Sequence, residues 1–449
     1  MGESPIRRLF EIAADPSIIS FAGGHPAPEL FDVDGLAAAY AHVFSTDGPR
    51  AMQYGSTDGE PEMREAAARR LQEANVPAAA AEVMVTSGSQ QGLGLVAQAL
   101  FNPGDVVLVE NPTYMSALQA FAVQGVELKA LDGDEAGIVP EALAAAIEMW
   151  NPKAVYLIPT FQNPTGISMP ASRRQQIADV LADADVWLIE DDPYAELRFT
   201  DDVLTPISAD PRLDDRSLLL GSLSKVLSPG VRVGWIRCPD EEARERIGVT
   251  KQATALQTST VDQLAAAHYL ATHNMEEVLS PVRAEYQARM LTLVEELSQV
   301  LPAGSVMNQP AGGMFVWARL PEGFDTQALV FEAAQAGVLY VPGPPFYIAD
   351  PDPRTLRFSF VSNGVEATRE GSAGWRKCSA PSSRWPSRAN RSPARLPWSG
   401  AVPEAVLASR AVAAAAEAAV SSRRLPGHRF EVALEMRLVG IAERCCQTS

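Results

Sequence analysis

Residues 217–235 read SLLLGSLSKVLSPGVRVGW, a short apolar run that closes on Ser222-Leu223-Ser224-Lys225 and continues into Pro229-Gly230-Val231-Arg232 and Gly234-Trp235. The run Ser217 to Leu220 is long enough for a buried strand and too short for a helix. Working outward, runs of the same kind recur at Val83 to Thr86, Val106 to Val109, Val126 to Ala130, Ala154 to Ile158, Val186 to Ile189 and Val233 to Arg237. The stretches between them have helical periodicity, as in Leu93, Val96, Ala97 and Leu100, which share one face. This alternation predicts an α/β fold with a mostly parallel sheet covered on both sides. Ligands of such a sheet bind beyond the carboxyl ends of its strands, which is where Lys225 falls.

Beyond a long helical region from Asp240 to Leu301, strand candidates at Met314 to Ala318, Val338 to Val341 and Leu356 to Phe360 predict a smaller α+β domain. The expected organisation is an N-terminal segment (1–50) that joins the small domain and the substrate entrance, a large domain (51–290), the small domain (291–370) and a tail (371–449). A chain of 449 residues, 47% hydrophobic and 20% charged, has ample core for this. The net charge of −18 argues against nucleic acid and anionic membranes as partners and in favour of small molecules. Of four cysteines only Cys445 and Cys446 are close together, so neither a metal site nor a disulfide framework is expected. A basic-then-apolar leader, a spanning apolar run and a myristoylation motif are all missing from the pattern, Ile6 standing where the last needs Ser or Thr. The expected location is the cytoplasm.

At Gly371 the composition changes. From there on, 12 basic and 5 acidic residues occur, against 25 and 50 before it. The stretch SAGWRKCSAPSSRWPSRANRSPARLPW has no apolar period, and its composition is that of a segment unable to bury a core. A shift of reading frame over Gly374 to Pro381 would yield Gly-Arg-Leu-Ala-Glu-Val-Leu-Arg, an amphipathic helix, so the expectation is an aberrant, disordered tail produced by a frame slip. A genuine disordered tail is the alternative, and resequencing the gene separates the two.

Several turns after strands carry chemistry. Lysine adds to an aldehyde only as its neutral amine, so a working Lys225 needs burial or a neighbouring cation to lower its pKa, and Arg232 is a candidate for that cation and for a phosphate fork. Thr86-Ser87-Gly88-Ser89-Gln90-Gln91 joins a strand to a helix, where backbone N–H groups form an anion site. Glu190-Asp191-Asp192-Pro193-Tyr194 puts carboxylates at the sheet edge, suited to a cation or a metal, with Asp192 expected as a helix cap or a solvated acid. Arg357, in the alternating run Leu356-Arg357-Phe358-Ser359-Phe360, is either a surface salt-bridge partner or an anion clamp. Taken alone, each reads as an ordinary loop lysine, turn or surface charge.

Together, Ser-x-Ser-Lys and Pro-Gly-x-Arg-x-Gly resemble the lysine loop of fold-type I aminotransferases of class I/II. The resemblance runs from about Ile19 to Thr368, and is nearest to the aminoadipate, aromatic and branched-chain aminotransferases related to MocR-type regulators. It implies a PLP-dependent transferase fold type I with a seven-stranded, mostly parallel sheet, pyridoxal 5′-phosphate (PLP) as cofactor and Lys225 as the catalytic residue that holds it. By the same resemblance Gly88, Ser89, Gln90, Ser222, Ser224 and Arg232 grip the phosphate. Asp191 meets the ring nitrogen, Tyr194 and the Asn163 of Asn163-Pro164-Thr165-Gly166 meet the ring oxygen, and the Tyr114 of Asn111-Pro112-Thr113-Tyr114 stacks on the ring. Arg357 and Asn163 hold the substrate α-carboxylate, and the Gly24 of Gly23-Gly24-His25-Pro26 lies at the entrance. The Tyr54 of Gln53-Tyr54-Gly55 touches the phosphate of a neighbouring subunit, which implies a homodimer with shared sites.

Two departures from the pattern are Pro344, where relatives often have Ser, and Gly94, more often acidic. The implied reaction moves an amino group between an L-amino acid and a 2-oxo acid, with glutamate and 2-oxoglutarate as one pair and no metal. The alternatives are other PLP chemistry (lyase, decarboxylase or oxidase), a regulator-derived effector domain, and an inactive product of a damaged frame.

Overall fold

Short runs of mostly buried residues suit a sheet covered on both faces. In the computed structural model, which describes Ile12 and residues 15–379, seven strands form one sheet, six of them largely buried and one, β3, partly exposed: β1 Val83–Thr86, β2 Val106–Glu110, β3 Glu127–Leu131, β4 Ala154–Leu157, β5 Trp187–Asp191, β6 Ser217–Ser222 and β7 Gly234–Arg237. The order is β1-β7-β6-β5-β4-β2-β3, with β7 antiparallel to β1 and β6 and the other pairs parallel. All seven expected strands are present, three starting one residue later than the apolar run.

Alternation along these strands feeds two cores. Val107, Val109, Ala154, Tyr156 and Ile189 belong to one; Leu108, Val155, Leu157 and Leu188 belong to the other. Helices α1 Val33–Ala51 and α2 Pro61–Glu73 precede the sheet, and α3 Ser89–Leu100 and α4 Met115–Gln124 follow β1 and β2. The close approach of α3 to the sheet is set by Gly92, where a Cβ would lie 2.8 Å from Leu220. The second core is closed by α5 Pro140–Trp150 and α6 Ala171–Ala182, through Leu143, Ile177 and Leu181. Strand β1 is an edge, and cationic side chains take the place of a further strand: Arg64 Nε donates to Val83 O (2.9 Å) and the fully buried Lys251 donates to Val85 O (2.6 Å).

The expected helical region resolves into α7 Glu241–Thr254, α8 Thr260–Thr272 and α9 Met275–Val300. Asp240 caps α7 by accepting from Ala243 N, and Asn274 caps α9 by accepting from Glu276 N. The smaller domain holds an antiparallel sheet, β8 Val306–Met307, β9 Phe315–Arg319, β10 Val341–Pro342 and β11 Thr355–Ser359, in the order β8-β9-β11-β10, with helices α10 Thr326–Gln335 and α11 Val365–Ser379. The expected strand Val338 to Val341 is split at Tyr340: Val338–Leu339 pairs in parallel with the N-terminal Ile19–Ser20, and only the rest joins β10. Ser359 N donates to Phe21 O, which stitches the N-terminal segment to this domain.

The placement of the tail at Gly371 needs correction. Helix α11 runs past Gly371 to Ser379, and Trp375, 4% exposed, packs edge-on against Tyr340 and Phe358 at 5.0 and 5.7 Å. Gly371 and Ser372 are buried because the helix lies close to the N-terminal segment, a Cβ at Gly371 falling 2.7 Å from the Phe21 ring. Small polar residues at these positions permit packing, where composition alone suggested none. The expectation for residues 380–449 falls outside the described residues. Among the described residues no helix is long and apolar enough to cross a membrane.

Candidate active site

The carboxyl edge of β1 opens into the anion cup. Gly88 has φ +86°, open to glycine, and a Cβ there would lie 2.7 Å from Arg232 Nη2. Helix α3 starts at Ser89 with no side-chain cap at Gly88, which leaves its N-terminus, the positive end of the helix dipole, suited to an anion. Arg232, itself at φ +53°, closes the cup from the far side: Nη2 donates to Ser87 O (2.7 Å) and Nη1 reaches Pro229 O and Ser224 Oγ (3.3 and 3.4 Å). Ser222 Oγ donates to Ser224 Oγ (2.9 Å) and accepts from Ser224 N, which sets both hydroxyls on the loop that leads to Lys225. Gln90 is turned sideways, donating to Ser116 O and accepting from Tyr114 OH (3.3 Å), so it orients the Tyr114 ring as well as lining the cup.

Lys225 Nζ donates to Gly24 O (2.9 Å). Burial first, then the charges of Arg357 and Arg232, push its pKa down to about 8, with Asp191 pulling the other way. Gly24 is held between that ammonium and Phe315, whose ring edge would stand 2.8 Å from a Cβ.

Asp191, the last residue of β5, is 2% exposed. Its Oδ2 accepts from Tyr156 OH (2.9 Å), whereas Oδ1 has no partner among the described residues. Burial pushes its pKa up to about 7 against the pull of Tyr156 and Lys225. Asp192 corrects a second expectation: it begins no helix and is not solvated at Oδ1, which is buried without a partner among the described residues, and its pKa rises to about 7 through burial and the nearby Glu190.

On the small-domain side, Arg357 in β11 is 5% exposed. Nη1 donates to Asn163 Oδ1 (2.7 Å) and Nη2 to Ala22 O (2.9 Å), and the guanidinium lies 4.0 Å from the Phe315 centroid and 5.1 Å from that of Phe346. The surface salt bridge expected as the simple reading is replaced by a buried cation stacked on aromatic rings. Desolvation pushes Arg357 down to about 10. Asn163 Nδ2 donates to Tyr194 OH (3.4 Å), and Tyr194 meets Phe315 edge to face at 6.1 Å. Pro344 opens the turn that delivers Phe346 to Arg357. Gly94 stands on the surface of α3, with only Gln98 within 4 Å of a Cβ.

Thus Gly24, Gly88, Ser89, Gln90, Tyr114, Asn163, Asp191, Tyr194, Ser222, Ser224, Lys225, Arg232 and Arg357 stand along one edge of the sheet and the facing small domain. Tyr54 differs, its side chain being 78% exposed. Sequence reasoning missed three supports. Tyr156 holds Asp191. Glu110 accepts from Ile158 N (2.8 Å) and is pushed up to about 8 by burial. Gln162 accepts from Thr165 N and donates to Pro112 O, bracing the Asn163 turn. Only Glu110, a carboxylate closing an apolar run, carried a signal in the sequence; Tyr156 sits inside its strand and Gln162 in the loop beyond it.

A parallel sheet with a helix-terminal anion cup, a lysine of lowered pKa and a buried carboxylate at one edge, faced by a small α+β domain, is the architecture of PLP-dependent transferases of fold type I. Comparison with known proteins agrees. The chain belongs to the aminotransferase class I and II family, whose model matches residues 28–371. It is 36% identical over 377 residues to an aromatic-amino-acid aminotransferase of Thermococcus litoralis, covering 83% of this chain and 90% of that one. It is 35% identical to a 2-aminoadipate transaminase of Thermus thermophilus, covering 82% and 91%. Among solved structures, kynurenine aminotransferase of Pyrococcus horikoshii, in complex with PMP and with KYN as substrates, aligns with a TM-score of 0.79 at 32% identity, over 84% of this chain and 94% of that one.

Proposed function

We propose that this aminotransferase moves the α-amino group of an L-amino acid to a 2-oxo acid with PLP as cofactor, glutamate and 2-oxoglutarate forming one pair. The observation that carries the reading is Arg357, a buried guanidinium without a carboxylate partner among the described residues, placed near Lys225, which also senses Asp191. The residues suit the cofactor. A ring nitrogen would give Asp191 Oδ1 the donor it lacks among the described residues, and the turn at Gly88, with Arg232 against it, brings backbone amides and a guanidinium together for a phosphate.

When bound, PLP supplies the electron sink that lets the substrate Cα–H bond ionise. The chain's own groups do the rest. Amides of Gly88, Ser89 and Gln90, the hydroxyls of Ser222 and Ser224 and the Arg232 guanidinium hold the phosphate. Tyr114 covers one face of the ring, Tyr194 and Asn163 reach its oxygen, and Asp191 holds its nitrogen. Arg357 takes the substrate α-carboxylate in a two-pronged grip, with Asn163 beside it, and Gly24 leaves the entrance clear. Lys225 would hold the cofactor at rest; released, its amine would be the base that takes the proton from the substrate Cα and carries it onward. A pKa of about 8 leaves a useful neutral fraction near pH 7. Tyr54, exposed within one chain, reaches the phosphate site of a second copy in a homodimer.

The test is a single half-reaction. Purified protein loaded with PLP is mixed with glutamate and no oxo acid, and 2-oxoglutarate is assayed. One equivalent of 2-oxoglutarate per site, with the amino group retained by the protein, supports the reading. Release of ammonia or carbon dioxide instead sends the site to lyase or decarboxylase chemistry.

A further inference from the structure

Tyr156 lies in β4, beside β5, and is fully buried. It faces the core shared with α3 and α4, in the same layer as Asp191, and the Phe121 ring meets it edge to face at 5.6 Å. A buried phenol needs an acceptor, and this one has Asp191 Oδ2 at 2.9 Å. The carboxylate is thereby split into two unlike oxygens, one occupied from behind by the phenol and one, Oδ1, left without a partner among the described residues. Nothing in the proposed chemistry uses Tyr156 directly.

We propose that Tyr156 is the positioning residue of Asp191: its hydroxyl fixes Oδ2, so that Oδ1 alone is presented to the ring nitrogen of the cofactor. The charged and titratable groups facing this carboxylate are Tyr156 from β4, Lys225 from the loop after β6, Tyr114 before α4, and Asp192 and Tyr194 beyond β5. Burial outweighs the two groups that favour the ionised form, Tyr156 and Lys225, and leaves Asp191 at about 7. The Tyr156 hydroxyl itself is held well above its usual value, so it remains a donor across the working range. A donor to a carboxylate lowers the pKa, and its removal raises it. Affinity for a ring that must meet the carboxylate therefore falls as pH drops through the Asp191 pKa, and without Tyr156 that fall starts at higher pH.

The inference rests on Asp191 meeting the ring nitrogen, so the probe is pyridoxine 5′-phosphate, which has the ring and the phosphate but no aldehyde for Lys225. Binding to cofactor-free protein is measured by fluorescence titration between pH 5.5 and 9. Tyr156→Phe, which keeps the ring against Phe121, is expected to weaken binding about tenfold at pH 7 and to move the midpoint of the acid-side loss up by about one unit. In an Asp191→Asn background the same change is expected to alter affinity by less than about twofold. An unmoved midpoint, or an equal loss with and without Asp191, overturns the proposal. Wild-type binding that is as tight in Asp191→Asn overturns both this proposal and the placement of the ring nitrogen, and needs no variant at Tyr156 to fold.

Discussion

On the proposed reading Arg232 and Arg357 each meet an anion, and the chain builds them in opposite ways. Arg232 is exposed, on a loop, at a left-handed backbone position that turns it back over Ser87 and Ser224. Arg357 projects from the middle of β11, is 5% exposed, and has an aromatic ring 4.0 Å away. An exposed guanidinium exchanges water for ligand and is screened by salt, so its net contribution is modest. A guanidinium already stripped of water has met its desolvation cost in folding, and a carboxylate that reaches it finds a strong field. On the proposed reading the cup around Arg232 therefore gains hold by summing many weak contacts, and the clamp at Arg357 by one strong one.

The largest expected effect follows from that contrast. Arg357→Leu should lower kcat/KM for amino acids about a thousandfold, roughly 4 kcal/mol as for a truncated buried charge contact, while PLP binding is retained. Arg357→Lys should recover little, because a point charge cannot reproduce the fork or the stack on Phe315. Steady-state kinetics at saturating PLP, with PLP affinity measured alongside, check both; a parallel loss of PLP would show that the two arginines do not divide the work. Next in size, Arg232→Ala should weaken PLP about thirtyfold, roughly 2 kcal/mol for charge-assisted hydrogen bonds, and leave the amino-acid KM unchanged once PLP is saturating. Titrating wild type and variant with PLP at low and high salt should show the difference shrinking with salt. A gap that persists in high salt would place Arg232 with Arg357 instead.

The contrast also marks what was legible before the structure. The sheet was, because short apolar runs recur along the chain, and so was the placement of Lys225, Asp191 and Asn163 beyond such runs, where the chain must leave the sheet. The environment of Arg357 was not. Its stack requires Phe315 from the next strand and Phe346 from a turn opened by Pro344, partners fixed only by the pairing of β9 with β11 and the packing of that turn. Tyr156 escaped for a similar reason: in a four-residue strand it counts as apolar, and its hydroxyl matters only once β4 and β5 are aligned. Helix α11 was cut short at Gly371 because a compositional window averages over residues, whereas burial needs one suitable residue per turn, here Thr368, Ser372 and Trp375.

The smallest expected effect sharpens the comparison most, because Lys225 senses both arginines. Burial, then Arg357, then Arg232 hold its pKa at about 8, below the ordinary 10.5. Only the neutral amine captures an aldehyde, so PLP capture by cofactor-free protein should accelerate as pH rises through about 8. Removing a neighbouring cation makes protonation easier, so Arg357→Leu should move the midpoint up by about half a unit and Arg232→Ala by less, with burial keeping both below the ordinary lysine value. Stopped-flow capture rates against pH measure this directly, and equal shifts, or a larger one for Arg232, would remove the claim that the buried arginine dominates the field at Lys225. Stability provides an independent reading of the same linkage. Between about 8 and 10.5 the unfolded lysine binds a proton that the folded one does not, so this group makes the cofactor-free protein more stable as pH rises across that window. In Arg357→Leu the lower edge of the window moves up and the gain shrinks, and in Lys225→Met it disappears.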